Sequence, residues 1–599
     1  MDEAQTIISK YKLATTSDYW RAYKEIQSLH LTSDSQKIKI ALLSSSTING
    51  LDKVLHVKCA GLGLQADVYN GAYGQYAQEI INEQGPLYAF DADLIIIFID
   101  TRSLLGEAYL DPYSSGDATL QDLVRAKYQE LTDLVGQLQQ RVRAKIILHN
   151  FEVPIISSYG IGEAKLPDGL IESIRSLNAD LAQRFKDEGQ VTVFDYENFC
   201  SRYGKQNILN YKLYYLADIK LDVKYYPELS EEYLGYVIPL KAKTKKCLVL
   251  DLDNTLWGGI IGEDGLGGIK LGPTPDGRSF YEFQQYILAL HKRGVVLAIN
   301  SKNNEADAME VLHKHPYMVL QEDNFASIQI NWDDKATNLR RIAEELNIGL
   351  DSLVFVDDDE MNRELVRQSL PEVKVVDLPK DFSGYLSTLS ELKDFNVFQV
   401  TSEDKDKGKM YVDQRKRTVL KSKFPDIDDF IKGLDMTVSI ELMNQYSLPR
   451  IAQLTQKTNQ FNLVTRRYQE EDLLAMQKRG DLIYVVSVKD KFGDNGMVGV
   501  IILQNNDQTM VIDTLLLSCR LIGRKVEKLM LYHIYDIAKL HNKKYIIGSY
   551  IPTPKNALVK DLFLDNGFAE IESVDGIERW QYDMINEYQL ISIINFKTT

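Results

Sequence analysis

The sequence predicts an α/β protein of several domains, and three observations support that prediction. The chain has 599 residues, which is more than one hydrophobic core accommodates. Over roughly the first two thirds, short apolar runs typical of parallel strands alternate with longer stretches of helical periodicity. The last third changes to a mostly antiparallel order of strands with helices. We therefore expect α/β domains followed by an α+β domain.

Composition narrows the class of protein before any motif is considered. Hydrophobic residues make up 44% and charged residues 26%, as in an ordinary soluble globular protein. The net charge of -16 argues against general nucleic-acid binding, which needs a basic surface. The longest apolar runs, such as Leu94 to Ile99, are too short to span a bilayer. The N-terminus lacks a basic and then apolar signal segment, so we expect a cytoplasmic protein with no nucleic-acid or membrane partner.

The cysteines do not predict a metal site or a disulfide framework. Four are present, widely scattered and without paired spacing, which favours a reduced location. They are Cys59, Cys200, Cys247 and Cys519.

Residues 1–240 are predicted to form the first α/β domain. Strands alternate there with helices, which favours a parallel sheet. The predicted strands are Lys37–Leu43, Gln65–Val68, Asp93–Ile99, Lys145–His149 and Val191–Asp195, and the principal helices are Leu51–Gly61, Leu120–Arg143 and Leu170–Asp187.

The rest of the chain divides into three predicted segments. A second α/β domain covers 241–395 and begins with the connector Lys241–Lys246. Residues 396–435 are predicted to be a charged helical linker, and 436–599 an α+β domain. In the last segment the predicted strands are Thr437–Ile440, Leu482–Lys489, Gly499–Gln504 and Thr509–Leu516, and the helices Gly523–His541 and Ala557–Asn566.

Polar residues follow three buried strands of the second α/β domain. Because ligands of open α/β sheets bind beyond the carboxyl ends of the strands, these side chains are expected to share one crevice. Two acids spaced two residues apart point to the same side of an extended chain. The residues are Asp251 and Asp253 after the first strand, Asn300 and Ser301 after the second, Asp357 and Asp358 after the third, and Lys335 at the start of a helix.

This set of side chains contains the parts of a phosphoryl-transfer site. One carboxylate can attack phosphorus and a second can act as acid and base. Further carboxylates can hold Mg²⁺, while a hydroxyl and a lysine bind phosphoryl oxygens. The alternative is that the acids are merely solvated or cap the following helices. That explanation is adequate for any single acid, but it does not account for the whole set.

The stretch Asp251-Leu252-Asp253-Asn254-Thr255 resembles the first motif of the haloacid dehalogenase (HAD) superfamily. Ser301, Lys335 and Asp357-Asp358 resemble its second, third and fourth motifs. The resemblance implies a Rossmann-like core with Asp251 as nucleophile and Asp253 as acid and base. It also implies Mg²⁺ bound by the Asp251 carboxylate, the Asp253 carbonyl and a motif-four aspartate, with Asp357 preferred to Asp358.

Motif spacing leaves no room for a large cap domain over this site. Only a glycine-rich flap, Gly258–Gly277, and one helix fit between Asp253 and Ser301. One helix and one strand fit between Ser301 and Lys335. An open site of this kind suits a bulky acceptor such as a protein.

Longer strings resemble FkbH-like proteins, a branch of the HAD superfamily. They cover nearly the whole chain and include Asp251–Gly265, Ser301–Ala308, Ile330–Ala336, Leu454–Asn462, Phe492–Gly496 and Leu517–Arg520. The resemblance implies a three-layer domain like SGNH hydrolases, the HAD core with a minimal cap, and a domain like GNAT acetyltransferases. Family members take a glyceryl group from 1,3-bisphosphoglycerate, remove phosphate, and load the group onto the phosphopantetheine thiol of an acyl carrier protein.

The same resemblance implies further substrate-binding residues: Asn300, Lys302 and Asn303 beside the second motif, and Arg520 and Gly523 in the GNAT-like domain. Several relatives have cysteine where this chain has Asn300, so the carrier thiol is expected to attack the acyl phosphate directly. Ser46 aligns with the SGNH nucleophile, but the sequence offers it no catalytic histidine, and a degenerate domain is expected.

Two other functions remain open from the sequence. One is a phosphatase acting on a small phosphorylated metabolite, and the other is a non-catalytic assembly protein of a biosynthetic pathway. The connector Lys241–Lys246 is read either as a solvated linker or as a contact for an acidic carrier protein.

Overall fold

The computed structural model describes residues 3–28, 36–112, 119–166, 168–401, 410–411, 413, 415, 417, 420, 424, 426–574 and 576–598. The chain divides into two compact units, Met1–Val237 and Ile238–Thr599.

A five-stranded parallel sheet forms the centre of the first unit, in the order β2-β1-β3-β4-β5. β3 is apolar, and every residue of β3 and β4 is buried, because helices cover both faces of such a sheet. The strands are β1 Gln36–Ser44, β2 Leu64–Asn70, β3 Leu94–Phe98, β4 Lys145–His149 and β5 Val191–Phe194. The helices are α1 Glu3–Tyr11, α2 Thr16–Gln27, α3 Leu51–Gly61, α4 Tyr76–Ile81, α5 Pro86–Phe90, α6 Thr101–Leu105, α7 Leu120–Arg141, α8 Leu170–Phe185, α9 Tyr196–Tyr203, α10 Lys205–Ile208, α11 Tyr211–Ala217 and α12 Tyr226–Leu240, whose last residues belong to the second unit.

The second unit contains another five-stranded parallel sheet, in the order β10-β9-β6-β7-β8. Alternate residues of its central strand pack into different cores: Leu248 and Leu250 on one face, Cys247 and Val249 on the other. The strands are β6 Cys247–Leu250, β7 Val296–Ser301, β8 Phe325–Ile330, β9 Leu353–Val356 and β10 Lys374–Val375. The helices are α13 Ile261–Gly268, α14 Arg278–Lys292, α15 Glu305–Lys314, α16 Lys335–Leu346, α17 Glu360–Ser369 and α18 Tyr385–Ser390.

An eight-stranded mixed sheet completes the second unit, in the order β16-β17-β15-β14-β13-β12-β11-β18. The predicted α+β order is present, with four more strands than the sequence pattern indicated. The strands are β11 Thr437–Leu442, β12 Leu482–Asp490, β13 Gly493–Asn505, β14 Thr509–Leu517, β15 Tyr545–Tyr550, β16 Ala569–Val574, β17 Ile577–Asp583 and β18 Asn595–Thr598. The helices are α19 Ile427–Leu434, α20 Leu448–Lys457, α21 Glu470–Arg479, α22 Val526–Leu540 and α23 Leu562–Asp565.

Element boundaries differ from the predictions where local chemistry interrupts a pattern. The helix expected from Gly523 starts at Val526, because Gly523 and Lys525 both have positive φ values. The helix expected over Ala557–Asn566 is divided into a 3₁₀ turn and α23. The flap at Gly258–Gly277 contains α13. Most of the charged segment Thr401–Lys423 lies outside the described residues.

None of the described helices is long and apolar enough to cross a membrane.

Candidate active site

The carboxyl ends of β6, β7 and β9 bring three of the predicted motifs to one edge of the sheet. β6 pairs with β7 on one side and with β9 on the other, so Asp251 lies between the other two motifs. Ser301 is the last residue of β7, and Asp357 follows β9 directly. The parallel register therefore places the first, second and fourth motifs side by side, as the strand-end pattern predicts.

Lys335 provides the positive charge at this edge. Its side chain is 1% exposed, and Nζ lies 2.7 Å from Asp251 Oδ1 and 2.9 Å from Asp357 Oδ2. Nζ also donates to the carbonyl oxygen of Asn300 at 2.8 Å. Lys335 is the first residue of α16, whose start is capped by the Asp334 side chain. A buried lysine in this position retains its proton because two carboxylates face it.

A third carboxylate makes the cluster more negative than Lys335 alone can balance. Oxygen atoms of Asp251, Asp357 and Asp358 all lie within 4.8 Å of one another. Burial raises the pKa of Asp358 to about 7, and the charges of Asp251 and Asp357 add to the shift. Burial and the Asp251 charge likewise raise the pKa of Asp357. Carboxylate oxygens at this spacing fit a hard divalent cation such as Mg²⁺.

Asp253 lies beside this cluster and is held by three donors. The Trp257 indole donates to Oδ1 at 2.8 Å and the Ile261 backbone N–H at 3.1 Å. The Asn303 side chain donates to Oδ2 at 2.9 Å. Burial raises the pKa of Asp253, the three donors oppose the shift, and the Asp251 charge adds to it. A raised carboxyl pKa suits a group that must hold a proton for part of a reaction.

The residues after β7 meet the predictions in different ways. The Ser301 side chain is nearly buried, and Asn303 Nδ2 donates to its hydroxyl at 3.3 Å. Asn303 therefore joins Ser301 to Asp253. Lys302 is exposed, with Nζ 3.5 Å from Asn362 Oδ1. Ser301 and Asn303 belong to the site, and Lys302 lies at its rim.

Asn300 does not have the substrate-contacting position that the resemblance implied. Its side chain is completely buried, because a residue inside a parallel strand points into the packed layer. Its amide nitrogen donates to the Lys335 carbonyl at 2.9 Å, and its amide oxygen accepts from Asn338 at 3.2 Å. Asn300 positions the start of α16, and with it Lys335.

Two supporting residues were missed in the sequence. The Arg363 guanidinium donates to the backbone carbonyls of Asp357 at 2.8 Å and Asp358 at 2.6 Å. The Thr255 hydroxyl accepts from the Asp358 N–H at 3.2 Å. Thr255 belongs to the first motif, Asp251 to Thr255, so the motif could have indicated it. Arg363 lies one helical turn into α17 and had no distinguishing sequence signal.

Arg520 and Gly523 are not brought to the carboxylates. Arg520 shares a cavity with Lys246, which precedes β6, whereas Asp251 follows β6. The two positions are at opposite edges of the same sheet. The substrate-binding position implied for Arg520 therefore does not lie at the carboxylate edge.

The diverging gap between β14 and β15 is filled by the chain itself. These strands pair only near Thr509–Val511 and then separate. Leu517 N–H donates to the Phe461 carbonyl at 3.0 Å, and Ile551 N–H donates to the Leu463 carbonyl at 2.9 Å. The segment 461–463 thus satisfies backbone groups that an extended ligand would otherwise meet.

Ser46 in the first unit has a different setting from a catalytic serine. It is buried, and the neighbouring Ser45 donates to Asp100 Oδ2 at 2.6 Å. His149, at the end of β4, is completely buried with Nε2 2.8 Å from the Tyr233 hydroxyl. His149 is therefore not available to Ser46 as a base.

Comparisons with known proteins agree with the resemblance to FkbH-like proteins that the motifs indicate. The family model described as "FkbH, N-terminal domain" matches residues 39–238. A crystal structure of the N-terminal part of the protein BF1531 from Bacteroides fragilis, containing a phosphatase domain complexed with Mg, is 30% identical with a TM-score of 0.58. The match covers 64% of this chain and 99% of that one. No curated protein sequence matches the chain.

Two acetyltransferase structures show weaker similarity. The ribosomal-protein-S18-alanine N-acetyltransferase from Escherichia coli is 14% identical with a TM-score of 0.20, covering 24% of this chain and 94% of that one. The IAA acetyltransferase from Bacillus cereus is 17% identical with a TM-score of 0.19, covering 24% and 99%. These scores are too low to assign the fold of the last domain.

The family model covers most of the first parallel sheet, and the Bacteroides fragilis structure is matched over nearly its whole length. By these matches, the chain belongs to the FkbH-like proteins of the HAD superfamily, a family of phosphatase type.

Proposed function

We propose that this protein is a Mg²⁺-dependent phosphoryl-transfer enzyme that removes phosphate from a phosphorylated three-carbon acyl phosphate and loads the glyceryl group onto an acyl carrier protein. The observation that supports it most directly is Lys335, buried between Asp251 and Asp357 with Asp358 beside them. This arrangement leaves a net negative pocket that a divalent cation and a phosphoryl group would complete. The Mg found in the Bacteroides fragilis phosphatase domain supports the same metal here.

Asp251, Asp357 and Asp358 would hold Mg²⁺ together with the Asp253 backbone carbonyl. The bound ion would neutralise charge on the phosphoryl oxygens. Lys335 holds Asp251 Oδ1, which leaves Oδ2 to attack phosphorus. Ser301, at the end of β7, would donate a hydrogen bond from its hydroxyl group to a phosphoryl oxygen.

Proton transfer is assigned to Asp253. In the first step the Asp251–phosphorus bond forms, the phosphorus–oxygen ester bond breaks, and protonated Asp253 gives its proton to the departing alcohol oxygen. In the second step ionised Asp253 takes a proton from water, which attacks phosphorus and releases phosphate and the free Asp251 carboxylate. Asn303 and Trp257 keep the Asp253 carboxyl oriented for both steps.

Acyl transfer requires a different bond to break. The carrier thiolate attacks the acyl carbon, the carbon–oxygen bond to phosphate breaks, and inorganic phosphate leaves with its electron pair. Asn300 is buried and has no thiol, so this position cannot hold the acyl group as an enzyme thioester. We therefore assign direct attack by the carrier thiolate.

Access for a protein-borne acceptor is supported by the open edge. Between Asp253 and Ser301 the chain forms only a flap with α13 and then α14. Trp332 after β8 is 71% exposed and Met361 after β9 is 78% exposed. Exposed apolar side chains of this size at the rim of a site favour contact with a partner surface.

The first unit and the last domain are assigned supporting roles in the same proposal. We infer that the first is a degenerate SGNH-hydrolase-like domain and that the last, over 436–599, is GNAT-like without acetyl transfer. The filled gap between β14 and β15 supports the second assignment.

The experiment is incubation of the full chain with 1,3-bisphosphoglycerate, Mg²⁺ and holo carrier protein, followed by intact mass of the carrier. A glyceryl mass gain that requires both Asp251 and Mg²⁺ is expected. Phosphate release at the same rate without any carrier would instead identify a phosphatase of a small metabolite. Pathway support by Asp251→Asn would favour the assembly role.

A further inference from the structure

A cavity of about 270 Å³ lies within the second unit, at the amino ends of β6 and β9. One wall comes from the connector before β6 and from the residues before β9. The other wall comes from α20, the turn after β14 and the segment after β15. The charged side chains that line it are Lys246, Arg450, Lys457, Arg520, Lys555 and Asp351.

The lining is strongly positive because five of these side chains are cationic and only Asp351 is acidic. Asp351 already forms an ion pair with Lys555. The neighbouring connector adds Lys243 and Lys245, and Lys245 Nζ donates to the Asp351 carbonyl at 2.6 Å. Burial lowers the pKa of both connector lysines, and the like charge of Lys555 adds to the lowering. The protein thus gathers positive charge in a partly desolvated place, which costs free energy.

Two of the cations are fixed rather than solvated. Arg450 is 8% and Arg520 is 5% exposed. The Arg520 guanidinium contacts the Met410 sulfur at 2.6 Å and the Asn495 carbonyl at 3.4 Å, and its described partners are all neutral. A buried guanidinium with neutral neighbours retains its attraction for an anion.

Polar groups without charge complete the lining. The Gln460 amide oxygen is buried and has no hydrogen-bond partner among the described residues. Ser518 and Thr458 also line the cavity and carry hydroxyl groups. Fixed cations together with hydroxyl and amide groups are the combination that binds phosphate.

We propose that this cavity is a binding site for a small phosphate-bearing anion with at least two negative charges. Its volume is near the lower end of ligand pockets, roughly 300 Å³, which suits a diphosphate-sized group. The four residues of β6 separate it from Asp251 by roughly 13 Å at about 3.3 Å per residue. The bound anion is therefore a second ligand that joins the two folded parts of the unit, and the inference does not depend on the proposed reaction.

The test is calorimetric titration of the full chain with pyrophosphate at low salt and without divalent metal. Under these conditions Asp251, Asp357 and Asp358 repel anions, so binding reports the cavity. Wild-type protein is expected to bind one pyrophosphate. A Lys246→Gln/Lys457→Gln double variant is expected to bind about tenfold more weakly or worse, since two facing charges are lost.

The matched control is Lys314→Gln/Lys489→Gln, which removes the same charge from exposed ion pairs elsewhere. Its dissociation constant for pyrophosphate is expected to lie within about twofold of the wild-type value. Thermal unfolding without pyrophosphate checks folding, and the cavity variant should melt no lower than wild type because repulsion is relieved. If it melts lower, Lys246→Gln alone replaces it, with an expected weakening of about threefold.

Absence of saturable binding to wild type would overturn the proposal. Equal weakening of pyrophosphate binding in the cavity and control variants would also overturn it, because the loss would then follow from the change in net charge alone.

Discussion

The two parallel sheets of this protein end in polar clusters whose acidic side chains are held differently. At the carboxyl edge of the first sheet, Asp100 accepts from the Ser45 hydroxyl at 2.6 Å and from the Ser103 N–H at 2.9 Å. Lys220 lies 3.3 Å from the same carboxylate. At the carboxyl edge of the second sheet, oxygen atoms of three aspartates lie within 4.8 Å of one another, and Lys335 pairs with two of them, Asp251 and Asp357.

The difference shows why one edge is a candidate catalytic centre and the other is not. The Asp100 oxygen atoms are already bonded within the protein, by the Ser45 hydroxyl, the Ser103 N–H and Lys220, although Lys220 is shared with Asp218 and Glu152 is a second buried acid nearby. The Asp251, Asp357 and Asp358 cluster is left with excess negative charge that burial makes costly. Similar strand topology thus supports two outcomes, which differ in the partners that hold the acidic side chains.

The largest expected effect comes from replacing one polar side chain at each edge and comparing the two variants. Asp251→Asn should lower phosphate release from p-nitrophenyl phosphate by about a thousandfold or more, because the nucleophile is lost. Ser45→Ala should change the rate by less than about twofold. Comparable losses in the two variants would contradict the assignment of catalysis to the second edge.

Metal binding should stabilise one edge and leave the other unchanged. At about 100 times its dissociation constant, Mg²⁺ should add about 2.7 kcal/mol to the free energy of unfolding of the second unit. Thermal unfolding with Mg²⁺ or with chelator measures the shift, and Asp358→Asn should reduce it. Hydrogen exchange at β3 and β4 in the first unit should not respond. Protection that increases equally in both sheets would argue against a single metal site.

Acid should weaken the first unit through His149. Complete burial lowers the pKa of His149 to about 3 in the folded protein, against about 6.5 when unfolded. The unfolded chain therefore binds a proton first, and stability falls as the pH drops below 6.5. At pH 5 the loss should be about 2 kcal/mol.

Denaturant unfolding at pH 7.5 and pH 5 measures this loss. The control is His149→Gln, which cannot titrate but keeps a polar group near Tyr233. Its free energy of unfolding should fall by about 2 kcal/mol less than that of wild type between the two pH values. An equal pH dependence in wild type and variant would show that another group is responsible.

The smallest expected effect distinguishes Ser45 from Ser46. Ser45→Ala removes a donor to buried Asp100 and an acceptor from the Asp100 N–H, and should cost about 1 kcal/mol of stability in the first unit. Ser46→Ala, at the position aligned with a hydrolase nucleophile, should cost less than about 0.5 kcal/mol. Denaturant midpoints compare the two variants, and a reversed order would assign Ser46 the structural role.

The sequence predicts the strands well wherever burial on both faces leaves a continuous apolar run. β4 was predicted at its observed bounds, because few other structures bury such runs. Strands β15 to β18 were missed. β16 is exposed throughout and β18 nearly throughout, so neither carries a burial pattern.

The site could be predicted as a set of residue types but not as a set of contacts. Asp251, Ser301, Lys335 and Asp357 all follow strands or open a helix, so strand order alone brings them together. The role of Asn300 could not be read, because the direction of a side chain depends on which face of its strand is covered. Arg363 was missed because its partners are backbone carbonyls, which every residue has.

The sequence by itself determined the fold class, the order of the motifs and the chemistry of the carboxylate edge. These follow from periodicity and from residue type at strand ends, which are local properties. The tertiary structure alone decided that Asp100 accepts from Ser45 and Ser103, that Asn300 faces inward, and that Lys246, Arg450 and Arg520 converge on one cavity. Those outcomes depend on residues far apart in the chain, whose proximity only the folded packing sets.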